Sequence, residues 1–388
     1  MTSRFEAHDR PVSLAVVHWL PLEQFPPAKN LLDLFGTNAA FLVTACSSVR
    51  AGEPQPWASG SVRLYRSTFP GAGRSRLIRL LSLAKLFLTV LFGLLRSRAD
   101  VVLYFEPHSA PAVFLYLLWN RSARLFIHYH EYRELSHYRD RGNAIARLGH
   151  WLETRWLFRR CEWISHTNAE RVRMFLEDHP EIPANLMQVL PNYPPVDWVS
   201  RRRAQCCSTT DIFRFVYVGA VSLHDTFIQE VVDWVANHGE QRVRLDIYAG
   251  NTSSSAREYL LNLQSPALRF FPSGVPYQNL PEILANYDVG LVLYRGTTRN
   301  YIYNAPNKLF EYLVCGLDVW YPKQMLGIRP VSAELKQQQV VEVDFDQPQL
   351  LDSLLQQPRR QPSREWQLTC QDALQPLQQA LLGTTPCG

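Results

Sequence analysis

The chain has 388 residues, of which 46% are apolar, and a net charge of +5. That length is too great for one ordinary domain and points to two, with enough apolar material for large cores. The charge is mild but uneven, with Arg74, Arg76, Arg79, Lys85, Arg96 and Arg98 in one cluster and Arg201, Arg202 and Arg203 in another. This suits a nucleotide ligand or an anionic membrane surface better than duplex DNA.

No zinc-finger spacing, helix-turn-helix pattern or RNA-binding aromatic signature stands out, so no nucleic-acid partner is expected. Seven cysteines (Cys46, Cys161, Cys206, Cys207, Cys315, Cys370, Cys387) are odd in number, scattered and free of C-x-x-C spacing, which reads as reduced intracellular thiols. Met1 to Arg10 is polar and mixed in charge, and no signal-peptide core follows it. The expected location is cytoplasmic, with the inner face of the cell membrane open as a peripheral site.

Apolar β-rich runs alternate with helical patterns along the chain, which predicts parallel sheets built from right-handed crossovers. In the first half the predicted strands are Leu14 to His18, Phe41 to Ala45, Val62 to Tyr65, Val101 to Phe105, Arg124 to Tyr129, Glu162 to His166 and Gln188 to Leu190. Leu77 to Leu95 is almost continuously apolar, yet Arg79 and Lys85 fall inside it and would be expensive at a bilayer centre. Two readings stay open: a largely buried helix of an α/β domain, or a helix lying on the inner leaflet with its basic residues at the headgroups.

The pattern breaks near Pro191-Asn192-Tyr193-Pro194-Pro195, and a polar aperiodic stretch from Arg201 to Thr210 follows. A second alternating series has predicted strands at Phe213 to Val218, Val243 to Ala249, Leu268 to Phe271, Val289 to Tyr294, Val319 to Tyr321 and Val340 to Val343. The expected organisation is an α/β chain of two doubly wound domains: residues 1–195, a linker at 196–211, residues 212–362, and a C-terminal helix within 363–388. Ser363 to Leu382 is amphipathic and either closes the second domain or crosses back to the first. Ligands of open parallel sheets settle beyond the carboxyl ends of the strands, so two such sheets facing one another would leave a substrate cleft.

The segment Asn304-Ala-Pro-Asn307-Lys308-Leu309-Phe-Glu311-Tyr-Leu-Val-Cys-Gly316 follows an apolar strand. Pro306 suits a first helical turn, Asn304 can cap its donors, and Gly316 can end the helix in a left-handed conformation. The helix N-terminus carries partial positive charge and free N–H groups, and Lys308 adds a full charge, which suits a diphosphate. Glu311 lies on nearly the same helix face, and its carboxylate can accept two hydrogen bonds from vicinal hydroxyls such as those of a ribose. The same residues also read as an exposed Lys/Glu pair on an ordinary helix with Leu309, Phe310 and Leu313 inward.

At this segment the chain resembles the GT-B glycosyltransferases, most of all the retaining nucleotide-sugar enzymes of glycosyltransferase family 4. The resemblance is carried by Asn307-Lys-Leu-Phe-Glu-Tyr-Leu-Val-Cys-Gly-Leu-Asp-Val319, Phe215-Val-Tyr-Val-Gly219, Leu245-Asp-Ile-Tyr-Ala-Gly250 and Tyr287-Asp-Val-Gly-Leu-Val-Leu-Tyr294. In the first domain His130-Glu131 and Val189-Leu-Pro-Asn192 also match. It implies a GT-B architecture of two Rossmann-like domains facing across a cleft, the second binding a nucleotide-diphosphate sugar and the first a glycan or lipid-linked saccharide acceptor. Glu311 would then hold the ribose, the backbone from Asn307 to Leu309 would face the diphosphate, and Gly219 would allow close approach. His130 would contact the transferred sugar, with Glu131 able to orient its ring.

The departures are specific. Tyr303, with Asn304 beside it, stands where the family usually carries a second acid, and Ala220-Val-Ser-Leu-His224-Asp225 offers only a histidine where a basic pair is common. Arg295 or Arg299 would be the substitute. The glycine-rich loop common after the first strand is replaced by His18-Trp-Leu-Pro-Leu-Glu-Gln-Phe-Pro-Pro27. With no aspartate cluster of metal-binding spacing near the motif, a metal-independent transferase with no cofactor beyond its nucleotide-sugar donor is expected. The rivals are a non-catalytic nucleotide-sugar or glycan-binding homologue and a sugar-nucleotide epimerase.

Overall fold

The computed structural model describes residues 10–50, 61–69, 75–140, 143–201, 212–238, 242–335, 339–356 and 366–384. The runs richest in apolar and β-branched residues become strands buried on both faces, as parallel sheets require. In the first half these are β1 (Val12–His18), β2 (Phe41–Arg50), β3 (Val62–Phe69), β4 (Val101–Phe105), β5 (Arg124–Tyr129), β6 (Trp163–His166) and β7 (Met187–Val189). They form one sheet in the order β3-β2-β1-β4-β5-β6-β7, with every pair parallel.

The second series is β8 (Phe213–Val218), β9 (Val243–Tyr248), β10 (Leu268–Phe271), β11 (Val289–Leu291), β12 (Asp318–Pro322) and β13 (Val340–Val343). Its order is β10-β9-β8-β11-β12-β13, again all parallel. Strand order reverses direction between β1 and β4 in the first sheet and between β8 and β11 in the second. These are the switch points where open α/β sheets bind ligands.

The helices of eight residues or more are α1 (Pro26–Thr37), α2 (Arg76–Ser97), α3 (Ala110–Trp119), α4 (Ala144–Leu152), α5 (Ala169–Asp178), α6 (Ile228–His238), α7 (Ser254–Leu261), α8 (Asn307–Val314) and α9 (Cys370–Leu381). One core packs β1, β4 and β5 against α2, α3 and α4 through Val17, Val90, Tyr104, Val113, Ile127 and Leu152. In the second half Phe215, Leu245 and Leu291 meet α6 on one side of the sheet. On the other side Val216, Val292 and Val319 meet α8.

The chain divides into two compact units, one running to Pro191 and taking in the chain from Leu374, the other spanning Asn192–Ala373. The boundary falls ahead of the expected residue 195 because Tyr193 already packs on Phe310 and Trp366, with ring centroids 4.7 and 5.5 Å away. Of the expected linker, Trp198 is buried in the second core, while residues 202–211 lie outside the described residues, as do Arg74, Cys206, Cys207 and Cys387. The C-terminal helix belongs to both units, its last turns tied to the first by the Arg124 guanidinium, which donates to the carbonyls of Ala380 and Leu381 at 2.7 and 2.8 Å.

Two local expectations change. The strand predicted to reach Tyr294 stops at Leu291, and Tyr294 instead makes an isolated antiparallel bridge with Thr226. The apolar stretch in α2 is neither largely buried nor spanning: Leu86, Val90 and Leu94 are in the core, while Leu81, Leu88 and Phe92 are exposed.

Candidate functional site

In the second unit the site is built on the end of β8 and the start of α8. Pro306, with extended ψ, is the N-cap residue of α8, and no side chain caps the helix. Asn304 therefore lies two residues upstream of the observed cap and does not cap the helix. The other end is as expected. Gly316 has φ +83°, and the N–H groups of Gly316 and Leu317 reach the carbonyls of Leu313 and Tyr312 at 3.0 Å, closing the helix with a left-handed glycine. The Tyr312 hydroxyl accepts from the backbone N–H of Val218 at 3.0 Å, fixing α8 to the end of β8.

Every side chain of α8 from Lys308 to Val314 is buried, the charged ones included. Lys308 Nζ has no hydrogen-bond partner among the described residues. It lies over the rings of Tyr217 and Tyr294, 4.3 and 4.7 Å from their centroids, which gives it a cation–π surrounding without a hydrogen-bonded anion among those residues. Gly219, with φ +135°, lies against it, and a Cβ there would be 2.8 Å from Nζ. The glycine thus serves both a backbone conformation forbidden to side chains and the space above the ammonium.

Burial pushes the Lys308 ammonium down to about 7, a shift only partly offset by the Glu311 charge. Burial likewise pushes the Glu311 carboxyl up to about 7 against the pull of Lys308. An exposed Lys/Glu pair on a solvated helix face, the ordinary reading of these residues, is therefore not what the fold contains. The pair is buried at the carboxyl end of the sheet, beside a strand at the switch point, and an incoming anion would favour the protonated form of Lys308 and find, among the described residues, no hydrogen-bond partner of its Nζ to displace.

The remaining residues expected here are less free. Arg295 donates to Glu230 of α6 at 2.5 Å and stacks over Phe227 at 4.4 Å. His224 is exposed and bonds Asp225 at 2.8 Å. Asn307 opens α8, and Leu309 is fully buried with its backbone N–H already given to the Pro306 carbonyl at 3.0 Å.

In the first unit a second constellation sits at the carboxyl ends of β1, β4 and β5. His130 is buried, its ring stacked on Phe105 at 4.9 Å and on Phe25 at 5.5 Å, with His128 at 4.9 Å and His18 at 5.6 Å. Nε2 of His130 and Nε2 of His18 are buried without hydrogen-bond partners among the described residues. Burial, followed by the neighbouring histidines and Arg171, holds His130 well below its ordinary value, so the ring is neutral at pH 7. Glu131 was expected to orient that ring, but its carboxylate is engaged elsewhere. Its carboxylate pairs with Arg171 at 3.1 Å, while Arg171 also donates to the His130 carbonyl at 2.6 Å.

The residue that sequence reasoning missed is Glu106. It follows β4 with φ +61°, a conformation that costs a non-glycine side chain energy. Its carboxylate accepts from the backbone N–H groups of His130 and Glu131 at 2.9 and 3.1 Å, with Arg133 at 3.7 Å. Burial raises it to about 7, against the pull of Arg133 and the two N–H groups. A strained buried acid that holds the backbone of His130 is a positioning element, and the only sequence signal was its place just beyond a strand.

No family model matches the chain, and no curated protein matches it by sequence. Solved structures do match. An E. coli structure described as trehalose-6-phosphate bound with UDP-2-fluoro glucose aligns with a TM-score of 0.62 at 12% identity, covering 96% of this chain and 96% of that one. Sucrose-phosphate synthase from Thermosynechococcus elongatus gives 0.57 at 13% identity, with 89% of each chain covered. The lipopolysaccharide outer core galactosyltransferase WaaB in its apo form gives 0.54 at 12%, covering 89% of this chain and 88% of that one. The chain has the GT-B fold of the glycosyltransferases, with its two Rossmann-like parallel-sheet domains.

Proposed function

We propose that the protein transfers a sugar from a nucleotide-diphosphate sugar to a glycan or lipid-linked saccharide acceptor, in the synthesis of cell-surface polysaccharide or glycoconjugate at the cytoplasmic side of the membrane. The observation that carries this reading is the buried Lys308 ammonium beneath Gly219, without a partner among the described residues, three residues from Glu311 on an uncapped helix N-terminus. As the bond from the anomeric carbon to the diphosphate breaks, negative charge grows on the leaving group. Lys308 and the N–H groups at the start of α8 would stabilise it, and a preorganised cation in a site shielded from water acts strongly. Glu311 would accept from the ribose hydroxyls. Neutral His130 would exchange hydrogen bonds with a sugar hydroxyl, held in place by Glu106.

This chemistry supplies the charge compensation that a divalent ion gives elsewhere, so metal-independent transfer is part of the proposal, together with retention at the anomeric carbon. The test is release of nucleoside diphosphate from a panel of nucleotide sugars with saccharide acceptors, in the presence of EDTA. Turnover that Lys308→Met and Glu311→Gln each reduce at least a hundredfold supports the assignment. Donor binding without turnover across the panel would contradict catalysis and leave a binding protein.

A further inference from the structure

α2, α3 and α4 with the turn that follows it (Glu153–Leu157) form one continuous layer over the first sheet, their inner sides sharing a single core. The outer side of this layer is apolar. Leu88 and Phe92 on α2 are 61% and 59% exposed, Leu118 and Trp119 on α3 are 53% and 60% exposed, and Trp151 and Trp156 are 50% and 45% exposed. Phe114 links the last two helices, 5.3 Å from Trp156, which in turn stands 4.8 Å from Trp151.

The charge on this layer has one sign. Lys85, Arg96, Arg121, Arg147 and Arg155 are exposed, and across residues 77–98, 110–121 and 144–160 the single carboxylate is Glu153, which is fully buried. α5, which joins the next pair of strands, has an ordinary solvated face: Arg173 is paired with Glu170 and Glu177. The apolar surface thus coincides with the cationic surface and ends where mixed charge begins.

α2 is long and apolar enough to cross a membrane, with a mean hydropathy of 2.0 over an 18-residue window within Leu77–Ser97. It does not cross, because its ends lead into β3 and β4 of one sheet and its inner side is buried through Leu86, Val90 and Leu94.

From this we infer that the outer face of α2, α3 and α4 docks on an anionic lipid bilayer. The leucines and Phe92 enter the acyl boundary, the three tryptophans sit at headgroup depth, and the arginine and lysine heads meet lipid phosphates. A second copy of the chain fits the same face poorly, because a two-fold contact would set the cations of one protomer against those of the other with no carboxylate to receive them. The docking is independent of the donor chemistry in the second unit and stands or falls without it.

The test uses the full chain with vesicles of phosphatidylcholine alone and of phosphatidylcholine with one third phosphatidylglycerol. The expected result is co-sedimentation with the acidic vesicles at low salt, release at high salt, and quenching of tryptophan emission by lipids brominated near the headgroup. Lys85→Gln, Arg96→Gln and Arg147→Gln should each weaken binding about fivefold, and Arg173→Gln on α5 should leave it unchanged. The double variant Leu88→Gln/Phe92→Gln should lose the quenching while keeping its thermal unfolding profile, since both side chains are exposed. Absence of binding to acidic vesicles at low salt, or equal binding to neutral ones, overturns the inference. A dimer in light scattering that Phe92→Gln dissociates would assign the face to a second copy and overturn it as well.

Discussion

A lysine that serves only the fold should stabilise it, whereas one kept for a ligand should cost stability when the ligand is away, and Lys308→Met separates the two cases. Burial takes this ammonium from 10.5 to about 7. At pH 7.5 the unfolded lysine is charged and the folded one largely neutral, which at about 1.4 kcal/mol per tenfold change corresponds to a cost of about 4 kcal/mol. Lost contact with the Tyr217 and Tyr294 rings and a less well balanced Glu311 return part of that, so methionine should raise stability by about 1–3 kcal/mol. The sign follows from a depressed folded value. The cost is complete below pH 7, shrinks as pH rises toward 10.5, and vanishes above it, when the unfolded lysine is neutral too. Urea unfolding of both proteins between pH 6 and 10.5 measures this. A methionine variant less stable than wild type throughout would refute the reasoning and make Lys308 a structural residue.

Gly219→Ala forces a side chain into a positive-φ position and brings a Cβ to 2.8 Å from Lys308 Nζ; denaturant unfolding should show a loss of about 1–3 kcal/mol, and calorimetry a donor affinity at least tenfold weaker. Glu106→Gln keeps an acceptor for the His130 and Glu131 N–H groups but removes a buried charge whose folded value is raised from 4.5 to about 7. The wild-type penalty therefore grows as pH rises from 4.5 through 7, and the glutamine variant should be of equal stability below pH 4.5 and up to about 3 kcal/mol more stable above pH 7, read by thermal unfolding across that range. Glu311→Gln should weaken binding of an intact nucleoside diphosphate more than that of inorganic pyrophosphate, which has no ribose, while Lys308→Met should weaken both; calorimetric titrations with the two ligands distinguish them.

The sheets were legible because parallel strands buried on both faces read as unbroken apolar runs. Val101 to Phe105, Phe213 to Val218 and Val340 to Val343 match their observed limits. The helix at Lys308 was legible through its glycine stop, but its start was placed early, since a proline serves equally as cap or first residue. Glu131 illustrates a longer reach: its partner Arg171 lies 40 residues away, on a helix that only the fold brings near. Glu106 was invisible for the same reason, because its role rests on a backbone angle and on N–H groups from the neighbouring strand. The apolar stretch in α2 left two readings open from sequence, since periodicity shows which side turns inward but not what covers the other. Arg295 had the right position after its strand, and only the structure shows it held by Glu230 and Phe227.

The central claim is that Lys308 and Glu311 hold a nucleotide-diphosphate sugar for transfer. The most direct measurement is calorimetric titration of the full chain with a panel of nucleotide-diphosphate sugars, paired with mass spectrometry of the acceptor after incubation. The account predicts saturable binding of at least one donor, a sugar-sized mass gain on the acceptor, and loss of both in Lys308→Met while that variant stays folded. Donor binding and transfer undiminished in Lys308→Met would contradict it.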